Sequence, residues 1–191
     1  MAEAPSNGSL PDRRDYFRIQ DRIGLEIRKL EPGHSGLNDP FNEGHLNGLR
    51  DELRRLDQDI RLHLASLAEQ DRLLTTLIKS LNGKLDTLAR IMAFEQNPLQ
   101  QEQWQDVTLS EGGIAFFITG TAYQAGDQLA VRMTLPPELF RPQAVAEVID
   151  AIPDRQGGSR IRTQFTSIHD SDRQQIARHV MKWQVRQRKK N

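Results

Sequence analysis

Cysteine is absent from this 191-residue chain, which removes disulfide frameworks, thiolate nucleophiles and cysteine-based zinc sites in one step. An excess of charge of either sign is also missing. Lys plus Arg and Asp plus Glu are both 26, so no global field advertises nucleic acid or an anionic membrane as partner, and any anion site has to be local. The five histidines, His34, His45, His63, His169 and His179, show no metal-ligand spacing. Nowhere do eighteen apolar residues follow one another, and residues 1–12 lack the basic-then-apolar order of a signal peptide. The chain therefore reads as soluble and cytoplasmic. No nucleophile with its base, metal cluster or phosphate-cradling loop can be recognised, so it reads as a non-enzyme with no cofactor. Hydrophobic residues make up 37%, low for one compact globule, which implies that part of the chain is exposed by design.

What is present falls into three textures. Residues 1–12 are small and polar and read as a mobile leader. From Ile19 to Leu30 the apolar positions Ile23, Leu25 and Ile27 alternate, the two-residue period of a half-buried strand. Pro32-Gly33-His34-Ser35-Gly36 breaks it. Asp39-Pro40 is a good helix start, because Asp caps free amide donors and Pro sits where none is needed.

The segment that follows carries Leu46, Leu53, Ile60, Leu67, Leu74, Leu81 and Leu88 at strict seven-residue spacing, stopping shortly before Asn97-Pro98. A single straight helix would let such a row drift by about 20° per heptad, so a row held in phase implies supercoiling against partners. Leu49 and Leu56 open a second seam, in which His63 and Gln70 are polar and Lys84 is charged, while Leu64, Ile78, Leu85 and Met92 broaden the apolar face. That breadth suits three or four strands, with His63 and Gln70 as register-setting layers. The other arrangement is an antiparallel hairpin turned at Asn82-Gly83, where glycine costs a helix about 1 kcal/mol. Leu81 and Leu88 keep their phase across that glycine, which argues against a turn there.

After Pro98 short apolar runs alternate with turn residues. Strands are expected at Trp104–Leu109, Gly113–Ile118, Gln128–Leu135, Ala144–Ile152 and Arg160–Ser167. With the strand from Ile19 they make a small antiparallel sheet or barrel. Asp170-Ser171-Asp172 is expected to cap a last helix whose Ile176, Val180, Trp183 and Val185 cover an open barrel end. Its basic terminus, from Arg186 to Lys190, suits the negative end of the helix dipole.

Two short runs carry chemistry. Arg13-Arg14-Asp15-Tyr16-Phe17-Arg18 supplies a forked set of cations, and Thr108-Leu109-Ser110-Glu111-Gly112-Gly113 a small polar turn. Guanidinium groups grip phosphate, or the O6/N7 edge of a purine, bidentately. Together the runs suit an anionic ligand with purine edges. Tyr16 and Phe17 are expected to anchor the leader to the barrel.

In these two runs, over residues 13–30 and 99–190, the chain resembles PilZ domains, bacterial receptor modules for cyclic di-GMP. Arg14-Asp15-Tyr16-Phe17-Arg18 fits the family's RxxxR motif, and Thr108 to Gly113 occupies its (D/N)xSxxG motif. Arg18 and Thr108 are 90 positions apart; without a helical insertion of about 60 residues, about 30 remain, a plausible connection. The resemblance extends to a tetrameric variety with an inserted heptad helix. It implies an α+β fold: a small antiparallel PilZ-type β-barrel with a C-terminal helix, interrupted by a long coiled-coil α-helix. Residues 13–37 and 98–191 would form the barrel, and residues 38–97 the inserted helix.

The resemblance further implies that Arg14 and Arg18, with Arg13 as a third contact, hold cyclic di-GMP, and that Ser110 and Gly113 meet the guanine. Thr108 departs from the motif. A carboxylate accepts guanine N1–H and N2–H together, whereas one hydroxyl accepts only one well; the lost contact is worth roughly 1–3 kcal/mol. Asp106, two residues earlier and on the same strand face, is a candidate substitute. The implied function is a cyclic di-GMP receptor or adaptor in bacterial second-messenger signalling, a homotetramer acting on an unidentified protein partner, without DNA binding or membrane insertion. The alternative is a tetrameric scaffold that has lost the ligand.

Overall fold

The computed structural model describes residues 16–31, 41, 44–96, 98–120, 123–154 and 157–188. Arg13, Arg14 and the leader lie outside the described residues, as does the side chain of Leu46. Six strands, β1 (Ile19–Lys29), β2 (Trp104–Ser110), β3 (Gly113–Ile118), β4 (Gln128–Thr134), β5 (Gln143–Asp154) and β6 (Gly158–Ile168), close into a barrel in the order β1-β2-β3-β6-β5-β4. All neighbours are antiparallel. Among the described residues three α-helices accompany it, α1 (Gly44–Gln70), α2 (Arg72–Gln96) and α3 (Asp170–Arg188), with a short 3-10 turn at Gln101–Gln103.

Strand period explains the core. On β1, Ile19, Ile23 and Leu25 are buried inside while Gln20 and Arg22 face outward. On β2, Val107 and Leu109 point in, and Asp106, Thr108 and Ser110 point out. β4 is buried almost throughout because both of its faces are covered. Leu129, Val131 and Met133 fill the barrel, whereas Ala130 packs with Leu30, Val145 and Phe41 on the outside.

β1 joins the barrel from the far side of the two helices. Its first half pairs with β2, from Ile19 opposite Leu109 to Gly24 opposite Trp104, and its second half pairs with β4. Barrel closure therefore depends on a strand separated in sequence from all its partners.

The segment expected as one long helix is two. Helical hydrogen bonding passes uninterrupted through Asn82-Gly83 and breaks at Asp71 instead. Asp71 closes α1 by donating its amide to the Leu67 carbonyl at 2.8 Å, and its own carbonyl receives the Thr75 amide at 3.1 Å. Its Oδ1 accepts the Leu74 amide at 2.9 Å, as an N-cap does for the third residue of a new helix. Thr75 is buried in the elbow so formed, 4% exposed.

The path of the chain requires a reversal there. A straight helix over residues 44–96 would separate its ends by about 80 Å. Yet Phe41 lies under the Arg132 guanidinium on the barrel wall, 4.1 Å from ring centre to Cζ. At the other end, the Ala93 carbonyl accepts from Arg141 at 3.4 Å, and Arg90 sits 4.5 Å over the Phe140 ring. α1 leaves the barrel and α2 returns to it, so the hairpin weighed above is present but turns at Asp71. The row from Leu46 to Leu88 is accordingly split between two helices.

α2 is seated firmly. Leu99, just past it, covers Gly24, where a Cβ would overlap the Leu99 side chain. Glu26 binds Arg141 at 2.7 Å and Arg132 at 3.4 Å, joining β1, β4 and the β4–β5 connection beneath the arm.

α3 begins at Asp170, so the acidic triplet forms its first turn rather than preceding it. Asp172 is buried and its Oδ2 accepts the Gln143 amide at 3.2 Å. Ile176 and Val180 enter the core and Trp183 packs against its edge, but Val185 faces solvent at 54% exposure. His179 occupies the inner face instead, 4% exposed, with Nε2 2.8 Å from the Asp21 carboxylate of β1.

Replacing Asp71 by Ala removes the side-chain acceptor that starts α2. The expected loss is about 0.5–2 kcal/mol, read as a lower thermal midpoint of the 222 nm circular dichroism signal. An Asp71→Asn variant, which keeps an acceptor, should lie close to wild type.

Candidate functional site

The site is built on the outward faces of β1, β2, β3 and β6. The antiparallel register ends with Ile19 opposite Leu109, so Arg18 and Ser110 each lie one residue beyond that last pair, on neighbouring segments of the chain. Gln20 faces Thr108 and Arg22 faces Asp106 by the same register. The two motif runs, 90 positions apart in sequence, are thus brought side by side by backbone pairing. Arg18 is exposed, and the outward parity of Gln20 and Arg22 extends to it.

The second motif forms the β2–β3 hairpin. Ser110 pairs with Gly113 across the two-residue turn Glu111-Gly112, and Ser110 Oγ donates to the Gly113 carbonyl at 3.2 Å. The two glycines have different neighbours. A Cβ on Gly113 would run into the Thr163 carbonyl and backbone of β6, so its absence lets β3 approach β6. A Cβ on Gly112 would instead meet the Tyr16 ring, 2.8 Å from Cδ2. Tyr16 therefore lies across the turn although 47% exposed, whereas Phe17 is 55% exposed.

Thr108 lies mid-strand, between Gln20 on β1 and Ala115 on β3. Asp106 shares its outward face, about 6–7 Å along the strand, and is exposed beside its cross-strand neighbour Arg22. A residue that sequence reasoning passed over completes the group. Arg160 of β6 donates from Nη2 to Thr108 Oγ1 at 3.2 Å. Arg162, the next outward residue on β6, is neutralised by Asp150 at 2.9 Å. The signal was available in the strand expected at Arg160–Ser167, whose two-residue period turns Arg160 and Arg162 to the same face.

Small side chains, Thr108, Ser110, Ala115 and Gly112, thus form a floor, with Arg18, Arg22 and Arg160 around it. Such a surface suits a flat, anionic ligand with hydrogen-bond acceptors. Among the described residues, no group of three or more His, Asp or Glu could hold a metal ion.

The family model described as PilZ domain matches residues 89–182. This chain carries a PilZ domain. The matched stretch runs from α2 into α3 and leaves out β1, which nevertheless closes the domain's barrel. A search of the curated proteins gives no match. Among solved structures, the chain is similar to a pathogenic protein from Xanthomonas campestris described as a new tetrameric PilZ domain self-assembled via an unusual helical bundle. Identity is 17%, 91% of each chain is covered and the TM-score is 0.54. It is also similar to the Bacillus subtilis inhibitor of motility MotI/DgrA, at 22% identity, with 46% of this chain and 44% of that one covered and a TM-score of 0.40. The PilZ-type fold, with its barrel, C-terminal helix and helical region, is the one expected from the sequence.

The glycine contacts give a paired test. Gly113→Ala presses on β6 backbone, which cannot move aside, and should cost on the order of 1–3 kcal/mol. Gly112→Ala meets only the rim of an exposed ring and should cost less than about 1 kcal/mol. Urea midpoints at constant m-value measure both.

Proposed function

We propose that this PilZ-domain protein is a non-enzymatic receptor for cyclic di-GMP that works as a self-associated assembly in bacterial second-messenger signalling. The observation that supports the reading is the pairing of Ile19 with Leu109, which brings the neighbours of these residues, Arg18 and Ser110, to the same end of the β1–β2 ladder. It joins the end of the RxxxR run to the Ser-bearing turn on one exposed face. Arg18, Ser110 and Thr108 are assigned to the ligand, with Arg14 and Gly113 as further contacts inherited from the motifs, Arg13 as a third cation and Asp106 as a substitute for the acid that Thr108 lacks. A cytoplasmic setting and an unidentified protein partner belong to the same proposal.

Self-association is supported by the apolar stripe on α2. Leu74, Leu77, Leu81, Leu85, Leu88 and Met92 recur at helical spacing and are all exposed, as are Leu49, Leu53 and Leu56 on α1. A contiguous exposed apolar face of this length marks an interaction surface. Hairpins packed through these faces would build a helical bundle. We propose a tetramer, the state ascribed to the similar Xanthomonas protein. Joining several barrels raises the effective concentration of a partner-binding surface.

A second reading has its own observation. Thr108 stands where the family motif has Asp or Asn, which favours a tetrameric scaffold that no longer binds the nucleotide. Isothermal titration with cyclic di-GMP separates the two. The receptor should release or absorb heat and saturate, and Arg18→Ala should weaken binding on the order of tenfold to a hundredfold, the worth of one bidentate contact. No heat at high micromolar ligand would leave the scaffold.

Assembly is tested on the full chain by sedimentation. Wild type should run as an oligomer, and Leu81→Glu with Leu88→Glu should run as a monomer with an unchanged barrel. A monomeric wild type would overturn the assembly.

A further inference from the structure

Position 108 departs from the family motif, and the side chain above it is a cation. Arg160, which pairs with Phe117 across the β3–β6 register, reaches to β2 and donates to the Thr108 hydroxyl at 3.2 Å. On the same strand Arg162 is paired with a carboxylate, Asp150, whereas the acceptor that holds Arg160 is neutral. A guanidinium has five N–H donors and Thr108 engages one of its nitrogens. Arg160 is exposed, which leaves its remaining donors open to a ligand.

An acid at position 108 would not leave it so. A carboxylate standing where the Thr108 hydroxyl stands would form a charge-assisted pair with Arg160. That pair would occupy the fork and neutralise its charge. Threonine fixes the direction of Arg160 without consuming its charge.

We infer that Thr108 and Arg160 act as one unit, in which Thr108 positions Arg160 to read the O6/N7 acceptor edge of a guanine. An acid at this place accepts from the guanine N1–H and N2–H edge; a guanidinium can only donate, and O6/N7 is the purine edge it fits bidentately. The substitution thus changes which edge is read rather than deleting a contact. Adenine offers a donor at its 6-position and does not fit the fork. This rests on the cyclic di-GMP reading above.

The test is isothermal titration of the full chain and its variants with cyclic di-GMP and cyclic di-AMP, with circular dichroism as the folding control. Wild type is expected to bind cyclic di-GMP and to prefer it over cyclic di-AMP. Arg160→Gln and the charge-keeping Arg160→Lys should both lose on the order of tenfold to a hundredfold in affinity for cyclic di-GMP. Both should lose much of the preference over cyclic di-AMP. Thr108→Asp, which restores the family motif, should bind more weakly than wild type.

Absence of binding by wild type overturns the receptor reading and this inference with it. Binding by wild type with unchanged affinity in Arg160→Gln overturns the inference alone. Full affinity in Arg160→Lys reduces the contact to a point charge and overturns the base-edge assignment. Tighter binding by Thr108→Asp would show that the acid was simply missed, and would overturn the positioning role.

Discussion

The hydrogen bonds that β1 makes on both edges are the constraint on which the rest depends. Without β1, β2 and β4 would be the open edges of a five-stranded sheet, and Ile19, Ile23 and Leu25 would leave the core. The connection between β1 and β2 is long, but loop closure grows only logarithmically, by about 0.6 kcal/mol per doubling of length. Each buried Leu or Ile contributes roughly 1.5–3 kcal/mol. Three such residues outweigh the added entropy several-fold, so a barrel can tolerate a helical hairpin spliced between its first two strands. Seating of the hairpin at both ends, through Phe41 and through Ala93 and Leu99, shortens the effective loop further.

Most of the barrel was legible because strand period and turn residues are local signals. All six strands and α3 fall within a few residues of their expected places. The elbow at Asp71 was not legible from the heptad row, because α1 and α2 meet with Leu67 and Leu74 seven apart. A row of constant spacing looks the same in one helix or in two. Attention to Gly83 followed a penalty of about 1 kcal/mol, which tertiary packing absorbs without a break. The decisive element was an Asp able to restart a helix, and a mid-helix Asp is too common to stand out in sequence.

The candidate site divides in the same way. Arg18, Thr108 and Ser110 could be picked out as short motifs, and their meeting follows from register, which sequence does not state. Arg160 belongs to no motif; strand period marks it as sharing a face with Arg162, but its meeting with Thr108 emerges only when β6 is laid beside β3. Gly113 was read through its place in a ligand motif, yet its missing Cβ is needed by the β6 backbone. One motif glycine can serve packing while its neighbour Gly112 lies under Tyr16.

Register also limits how a bound ligand could be reported elsewhere. β1 follows directly on Arg18 and carries, eight residues after it, Glu26 in the ion pairs beneath α2, which suggests a rod sliding between site and arm. Sliding by one residue would turn Ile19, Ile23 and Leu25 to the outside and Gln20 and Arg22 inward. The buried Asp21–His179 contact with α3 would be lost at the same time. A ligand held by a few contacts cannot drive that exchange against the burial of three large apolar side chains. Among the described residues, Tyr16, Phe17 and Arg18 lie outside the paired part of β1 and are exposed, with Tyr16 resting on Gly112. Under the proposed function, a surface change on binding would therefore be confined to the face around Tyr16, Arg18 and the β2–β3 turn.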